Sequence, residues 1–146
     1  MYPLSEFQFS NPILLKLDYK MNSSFKSEET GVDFSFPVML NIARSNQEAN
    51  RSDVMLELIL GKDGDSSPFH LTIAMQATFQ WGEKLSDDVV EQLLTQNAPS
   101  LLLSYIRPHV VQITSASPFP VVHIPFADFS KSENGVKGEE TTPKAT

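Results

Sequence analysis

Apolar side chains recur at every second position through the first two-thirds of the chain. Leu15, Leu17, Tyr19 and Met21 alternate with Lys16, Asp18 and Lys20. Val32, Phe34, Phe36, Val38, Leu40 and Ile42 form a second series, and Val54, Leu56, Leu58 and Leu60 a third. The fourth is the clearest: Leu71, Ile73, Met75, Ala77, Phe79 and Trp81 set against Thr72, Gln76, Thr78 and Gln80. Extended chain sends successive side chains to opposite faces, so these segments predict four strands of a sheet with one buried face. The connections are polar: residues 22–30 and 45–53 predict loops, and residues 62–67 a turn before Pro68. Consecutive strands with short links predict antiparallel pairing.

The period then changes. Ser86 is placed to cap a short helix opening with Asp87 and Asp88, whose charges suit the positive helix end. Val89, Val90, Leu93 and Leu94 give it an apolar side. A longer helix follows, with Asn97 as its expected N-cap and Pro99 in the first turn. Leu101, Leu102, Tyr105, Val110 and Ile113 supply its apolar positions, and Pro108 is expected to kink it or divide it in two. Pro118-Phe119-Pro120 stops the helix, and residues 121–126 predict extended chain laid on the core. The expected architecture is α+β: a four-stranded antiparallel sheet with a long helix packed on one face. Residues 1–129 form the expected domain. Residues 130–146 hold three lysines, three glutamates and no apolar periodicity, which predicts a disordered polar tail.

Composition narrows the function. The 146 residues are 40% hydrophobic and 20% charged, ordinary values for one globular domain. Without cysteine there is neither a disulfide framework nor a thiolate metal site. The net charge of −7 repels phosphate backbones, so nucleic acid is not an expected partner. The first ten residues carry Glu6 and no Lys or Arg, unlike a signal peptide, and no apolar run approaches the roughly 18–20 residues that span a bilayer. A soluble, cytoplasmic protein with no membrane partner is expected.

Catalytic chemistry finds little support. There is no Gly-x-Ser-x-Gly elbow, no phosphate-cradling glycine loop and no His-Glu-x-x-His. Asp63, Asp65 and Ser67 begin like a calcium loop, but Pro68 stands where glycine is needed and Ala74 where a bidentate glutamate is needed. His70, His109 and His123 lie in different elements, and Asp87, Asp88 and Glu91 are explained by their position at a helix start. No metal, cofactor or catalytic residue is expected. The aromatic residues remain, several near segment ends: Phe79, Trp81, Phe119, Phe126 and Phe129.

Residues 98–129 resemble the SecB protein-export chaperones. Asn97-Ala98-Pro99, then Tyr105-x-Arg107, then Phe119-Pro120 follow that family's long-helix pattern, in which a proline starts the helix, Tyr-x-Arg lies near its middle and Phe-Pro closes it. The four preceding strands and the helical link match the family's order. The resemblance implies a twisted antiparallel sheet with the helix on one face, assembled as a dimer or a dimer of dimers. It also implies capture of unfolded precursor polypeptides on apolar surfaces without ATP, and delivery to the translocase motor SecA. Two departures stand out. Where the family has a second helix after the crossover, this chain has Ser130-Lys131-Ser132-Glu133-Asn134-Gly135. Its tail lacks the Cys and His of the zinc-binding, SecA-docking tail, so neither zinc nor the SecA contact is carried over.

The expected function is thus ATP-independent binding of unfolded or precursor polypeptides, with Phe79, Trp81, Phe119, Val122 and Phe126 meeting at the edge of the helix–sheet interface as the peptide-binding residues. The alternatives are a dedicated single-partner module such as an antitoxin chaperone, and a protein that shares only the fold.

Overall fold

A computed structural model of the chain describes residues 1–23, 25, 38–45, 48–61 and 67–131, together with the backbone of residues 140 and 141. Six strands form one sheet: β1 (Gln8–Phe9), β2 (Ile13–Met21), β3 (Val38–Arg44), β4 (Arg51–Leu60), β5 (Phe69–Gln80) and β6 (Glu140–Thr141). Their order is β1-β5-β4-β3-β6, every pair antiparallel, with β2 beside β5 on the same edge as β1. The four long strands are those the alternation predicts. The start of the second series, Val32, Phe34 and Phe36, lies outside the described residues. Residues 140 and 141 of the expected tail pair with Val38 and Met39 of β3.

The register puts one face of β4 and β5 under a helix. Leu58 of β4 stands opposite Ile73, and Leu56 opposite Met75. Val54, Leu56, Leu58 and Leu60 are buried with Phe69, Leu71, Ile73, Met75, Ala77 and Phe79. Each such side chain contributes roughly 1.5–3 kcal/mol relative to exposure. The link between β3 and β4 is tighter than the expected loop over residues 45–53. Glu48 and Arg51 exchange backbone hydrogen bonds of 3.0 and 2.8 Å, and Ala49 and Asn50 both take positive φ, 44° and 59°. That is the two-residue turn whose twist matches the flanking strands, so β4 begins at Arg51. At the other end of β4, Gly61 has φ 84°, and a Cβ there would stand 2.2 Å from the Phe69 carbonyl oxygen. Only glycine fits.

The helical region is one continuous run rather than two helices. α1 (Asp87–Gln92) passes through a π-helical turn, Leu93–Asn97, into α2 (Ala98–Ser115). Ser86 caps α1 as expected, its Oγ accepting from the Val89 N–H. Asn97 makes no side-chain cap and is itself helical. Pro99 explains the π turn. It has no N–H for the preceding turn, and the ladder resets, with the Ala98 N–H reaching back to the Leu93 carbonyl. Pro108 does not divide the helix, which runs unbroken to Ser115. α2 packs across β4 and β5, burying Leu102, Leu103, Ile106, Val110 and Thr114 against them.

This placement corrects the expectation for the first strand. Leu17, Tyr19 and Met21 do share the core side with Ile73, Leu71 and Phe69. They are not buried, because α2 lies over β4 and β5 and leaves β2 uncovered. Leu15 also falls out of phase. The register slips by one residue between Leu14 and Lys16, so Leu14 takes the place opposite Met75.

Candidate peptide-binding surface

After α2 the chain turns back and lies along the helix as an extended crossover. Two side chains of α2 hold it there. The buried Thr114 hydroxyl donates to the Val110 carbonyl at 2.7 Å, the helical bond open to a mid-helix threonine, and its oxygen accepts from the Val122 N–H at 3.0 Å. Two turns earlier, Arg107 Nε donates to the Ile124 carbonyl at 3.0 Å and Nη2 to the Pro125 carbonyl at 2.8 Å. Between these anchors Val122 and Ile124 point inward and are buried, while Val121, His123 and Pro125 are exposed. Phe129 closes the core beyond them, in a short 3-10 turn, Phe129–Lys131. Asp128 caps that turn through both the hydroxyl and the backbone N–H of Ser130, which hold its carboxyl below the usual carboxylate range. Among the described residues the crossover is followed by this turn and not by a helix of the length the resemblance implies.

Phe126 is the outlier. It is 97% exposed, although the Arg107 guanidinium lies 5.5 Å from its ring centroid. Phe119 is half-buried, with its ring edge-on to Phe25 at 5.6 Å.

Phe79 and Trp81 lie elsewhere, at the end of β5's ladder and just beyond it. Phe79 is 1% and Trp81 8% exposed. The chain's own residues cover them: the Phe7 ring stacks on Phe79 at 5.4 Å and on Trp81 at 6.1 Å. The Trp81 N–H donates to the Asn50 carbonyl at the tip of the β3–β4 turn. Phe119 lies beyond the C-terminal end of α2, whose 18 residues span about 27 Å. The five residues expected to meet are therefore divided. Phe79 and Trp81 are joined through Phe7, Phe119 and Val122 flank the end of α2, and Phe126 stands over Arg107.

One exposed apolar feature among the described residues is not singled out by the sequence. Ile13, Leu14, Leu15, Leu17, Tyr19 and Met21 of β2 are each 36–50% exposed. On the core side Leu14, Leu17, Tyr19 and Met21 continue the plane of the buried face past the rim of α2 as an apolar shelf. Among the described residues β2 pairs only with β5, so its second edge presents unpaired backbone groups beside that shelf. The alternation of β2 was legible. That its apolar face would lie outside the cover of the helix was not, because strand order decides it.

No protein-family model matches the chain, and no curated protein matches it in sequence. Solved structures do. The SecB-like chaperone Rv1957 of Mycobacterium tuberculosis, in complex with a ChAD peptide from the Rv1956 HigA1 antitoxin, superposes with a TM-score of 0.66 at 13% identity, over 84% of this chain and 91% of that one. A Streptococcus agalactiae protein of unknown function aligns with a TM-score of 0.47 at 17% identity, over 85% of this chain and all of that one. The fold is SecB-like: an antiparallel sheet with one long helix packed on it, as the pattern in residues 98–129 implies. Among the described residues no helix is long and apolar enough to cross a membrane.

Proposed function

We propose that this protein is a binding protein for extended, non-native polypeptide, working without ATP or a cofactor. The observation that carries the reading is the uncovered shelf of β2: Leu14, Leu17, Tyr19 and Met21, large, apolar and exposed on one face of a strand whose outer edge is unpaired among the described residues. An extended segment would add to such an edge by backbone hydrogen bonds and lay alternate side chains on the shelf. Phe126 and Phe119 would supply further apolar contacts on the crossover. Phe79, Trp81 and Val122, being buried, would contribute only where their cover is displaced. The same exposed edge favours self-association, and the reading includes a homo-oligomer, a dimer or a dimer of dimers. Holding clients extended in the cytoplasm is what an export route requires, and delivery of export precursors is the finer form of this reading.

One observation favours a second reading. The structural neighbour is described with a peptide from one antitoxin, which supports a dedicated module serving a single partner. The experiment that separates the two is aggregation of a slowly refolding client diluted from denaturant, with equimolar protein and no nucleotide. General binding predicts reduced light scattering for several unrelated clients, and less reduction with Leu17→Asp or Phe126→Ala. No effect on any of them contradicts general binding and leaves the single-partner module.

A further inference from the structure

Residues 7–10 lie along the end of β5 as a bound peptide would. Gln8 and Phe9 pair with Gln80 and Phe79. The Ser10 N–H donates to the Thr78 carbonyl at 2.8 Å, and the Thr78 N–H donates back to Ser10 Oγ at 2.9 Å. Phe7 and Phe9, two positions apart in extended chain, turn to one face. Phe7 stacks on Phe79 and Trp81 with interplanar angles of 19° and 22°. Phe9 sits 6.4 Å from Phe79 and edge-on to Tyr105 at 6.1 Å.

Little else holds this segment. Residues 1–6 and 8–10 are exposed, and Phe7 is only half-buried. Pro12 follows, and the register slips by one residue between the Phe9↔Phe79 and Ile13↔Gln76 pairs. β1 is thus a separate ladder, able to leave β5 while β2 stays zipped.

We propose that the end of β5, with Phe79, Trp81 and Tyr105, is a binding site for extended polypeptide carrying aromatic side chains at alternate positions, and that Phe7-Gln8-Phe9 is its exchangeable resident. This deepens the peptide-binding reading and rests on it. A client with the aromatic-x-aromatic pattern restores the ladder pairs and ring stacks that the resident gives up, so exchange is nearly balanced. An empty site would expose two large rings, so the resident also shields them from association. As a tethered competitor at an effective concentration on the order of millimolar, it weakens apparent client affinity in proportion to its occupancy.

Trp81 is the only tryptophan and reports on the site directly. The probe is a synthetic peptide of residues 4–10 with 4-nitrophenylalanine, a quencher of indole emission, in place of Phe7. The full chain is compared with its Phe7→Ser/Phe9→Ser variant. The expected result is saturable quenching of both, with at least about tenfold tighter binding to the variant. Excess unlabelled peptide of residues 4–10 should relieve the quenching, and the same peptide with serine at both aromatic positions should not. Quenching of the unaltered chain alone supports the site should the double variant fail to fold. Absence of quenching, or equal affinity for folded variant and parent, overturns the proposal. Client aggregation measured in parallel keeps the two ideas apart. Suppression by both chains without probe binding leaves the broader reading standing on β2 and rejects this site. Probe binding without suppression establishes the site and rejects general chaperone action.

Discussion

Tyr105 and Arg107 stand two positions apart in α2 and so serve opposite flanks of the helix. The Tyr105 ring meets Phe9 at 6.1 Å, on the flank facing β1. Arg107 reaches the Ile124 and Pro125 carbonyls on the flank carrying the crossover. The Tyr-x-Arg spacing therefore ties both extended segments, the short first strand of the sheet and the crossover after the helix, to a single rigid element.

Replacing Arg107 with Ala should loosen the crossover. Two charge-assisted hydrogen bonds to backbone carbonyls are lost, and a denaturant titration should show a loss of about 1.5–3 kcal/mol. Arg107→Lys should recover less than half of this, because one ammonium cannot reproduce the fork. Loss below about 0.5 kcal/mol for Arg107→Ala would show that Thr114 and the burial of Val122 and Ile124 hold the crossover unaided.

Ile73 and Leu17 face each other across β2 and β5 but should differ sharply in cost. Ile73 is fully buried, and Ile73→Ala should cost about 2–5 kcal/mol. Leu17 is 44% exposed, and Leu17→Ala should cost under about 1 kcal/mol while reducing client binding. Equal losses would mean that β2 is covered in solution.

Light scattering coupled to size exclusion should give a mass at least twice the 16.3 kDa of the chain at tens of micromolar. Leu17→Lys combined with Tyr19→Lys should lower it toward one chain by placing charges on the shelf. A monomer in the unaltered protein would remove self-association from the account.

Asp128 should titrate below the usual carboxylate value of about 3.9, because the Ser130 hydroxyl and N–H favour its charged form. With a depressed folded pKa, its stabilising contribution is present above the unfolded value and disappears as pH falls through the folded one. Carboxyl-carbon NMR of the full chain should show this low midpoint, and a normal midpoint would mean that the Phe129–Lys131 turn frays in solution.

The sheet was legible wherever the alternation ran long. β5 shows the expected core side because both its neighbours and α2 enclose it, so Leu71, Ile73, Met75, Ala77 and Phe79 are all buried, but Thr72, set on the polar side by the alternation, is buried too. Shorter signals failed for physical reasons. β1 is two residues long and offers no period to read. The turn at Ala49 and Asn50 lacks the glycine that usually marks positive φ. Asn97 and Pro99 read as a helix start, yet a π turn absorbs the missing N–H and the helix continues. At the site, composition pointed to aromatic residues near segment ends but not to which are accessible. Phe126 is open, whereas Phe79 and Trp81 lie beneath Phe7, a contact between residues more than seventy positions apart.

Extended polypeptide is expected to add to the outer edge and shelf of β2. Hydrogen–deuterium exchange of the full chain, with and without saturating unfolded client, tests it most directly. Outward amides of residues 13–21 should exchange fast in the free protein and slow at least about tenfold with client, as newly formed backbone hydrogen bonds require. Unchanged exchange across residues 13–21, with the client demonstrably bound, would contradict it.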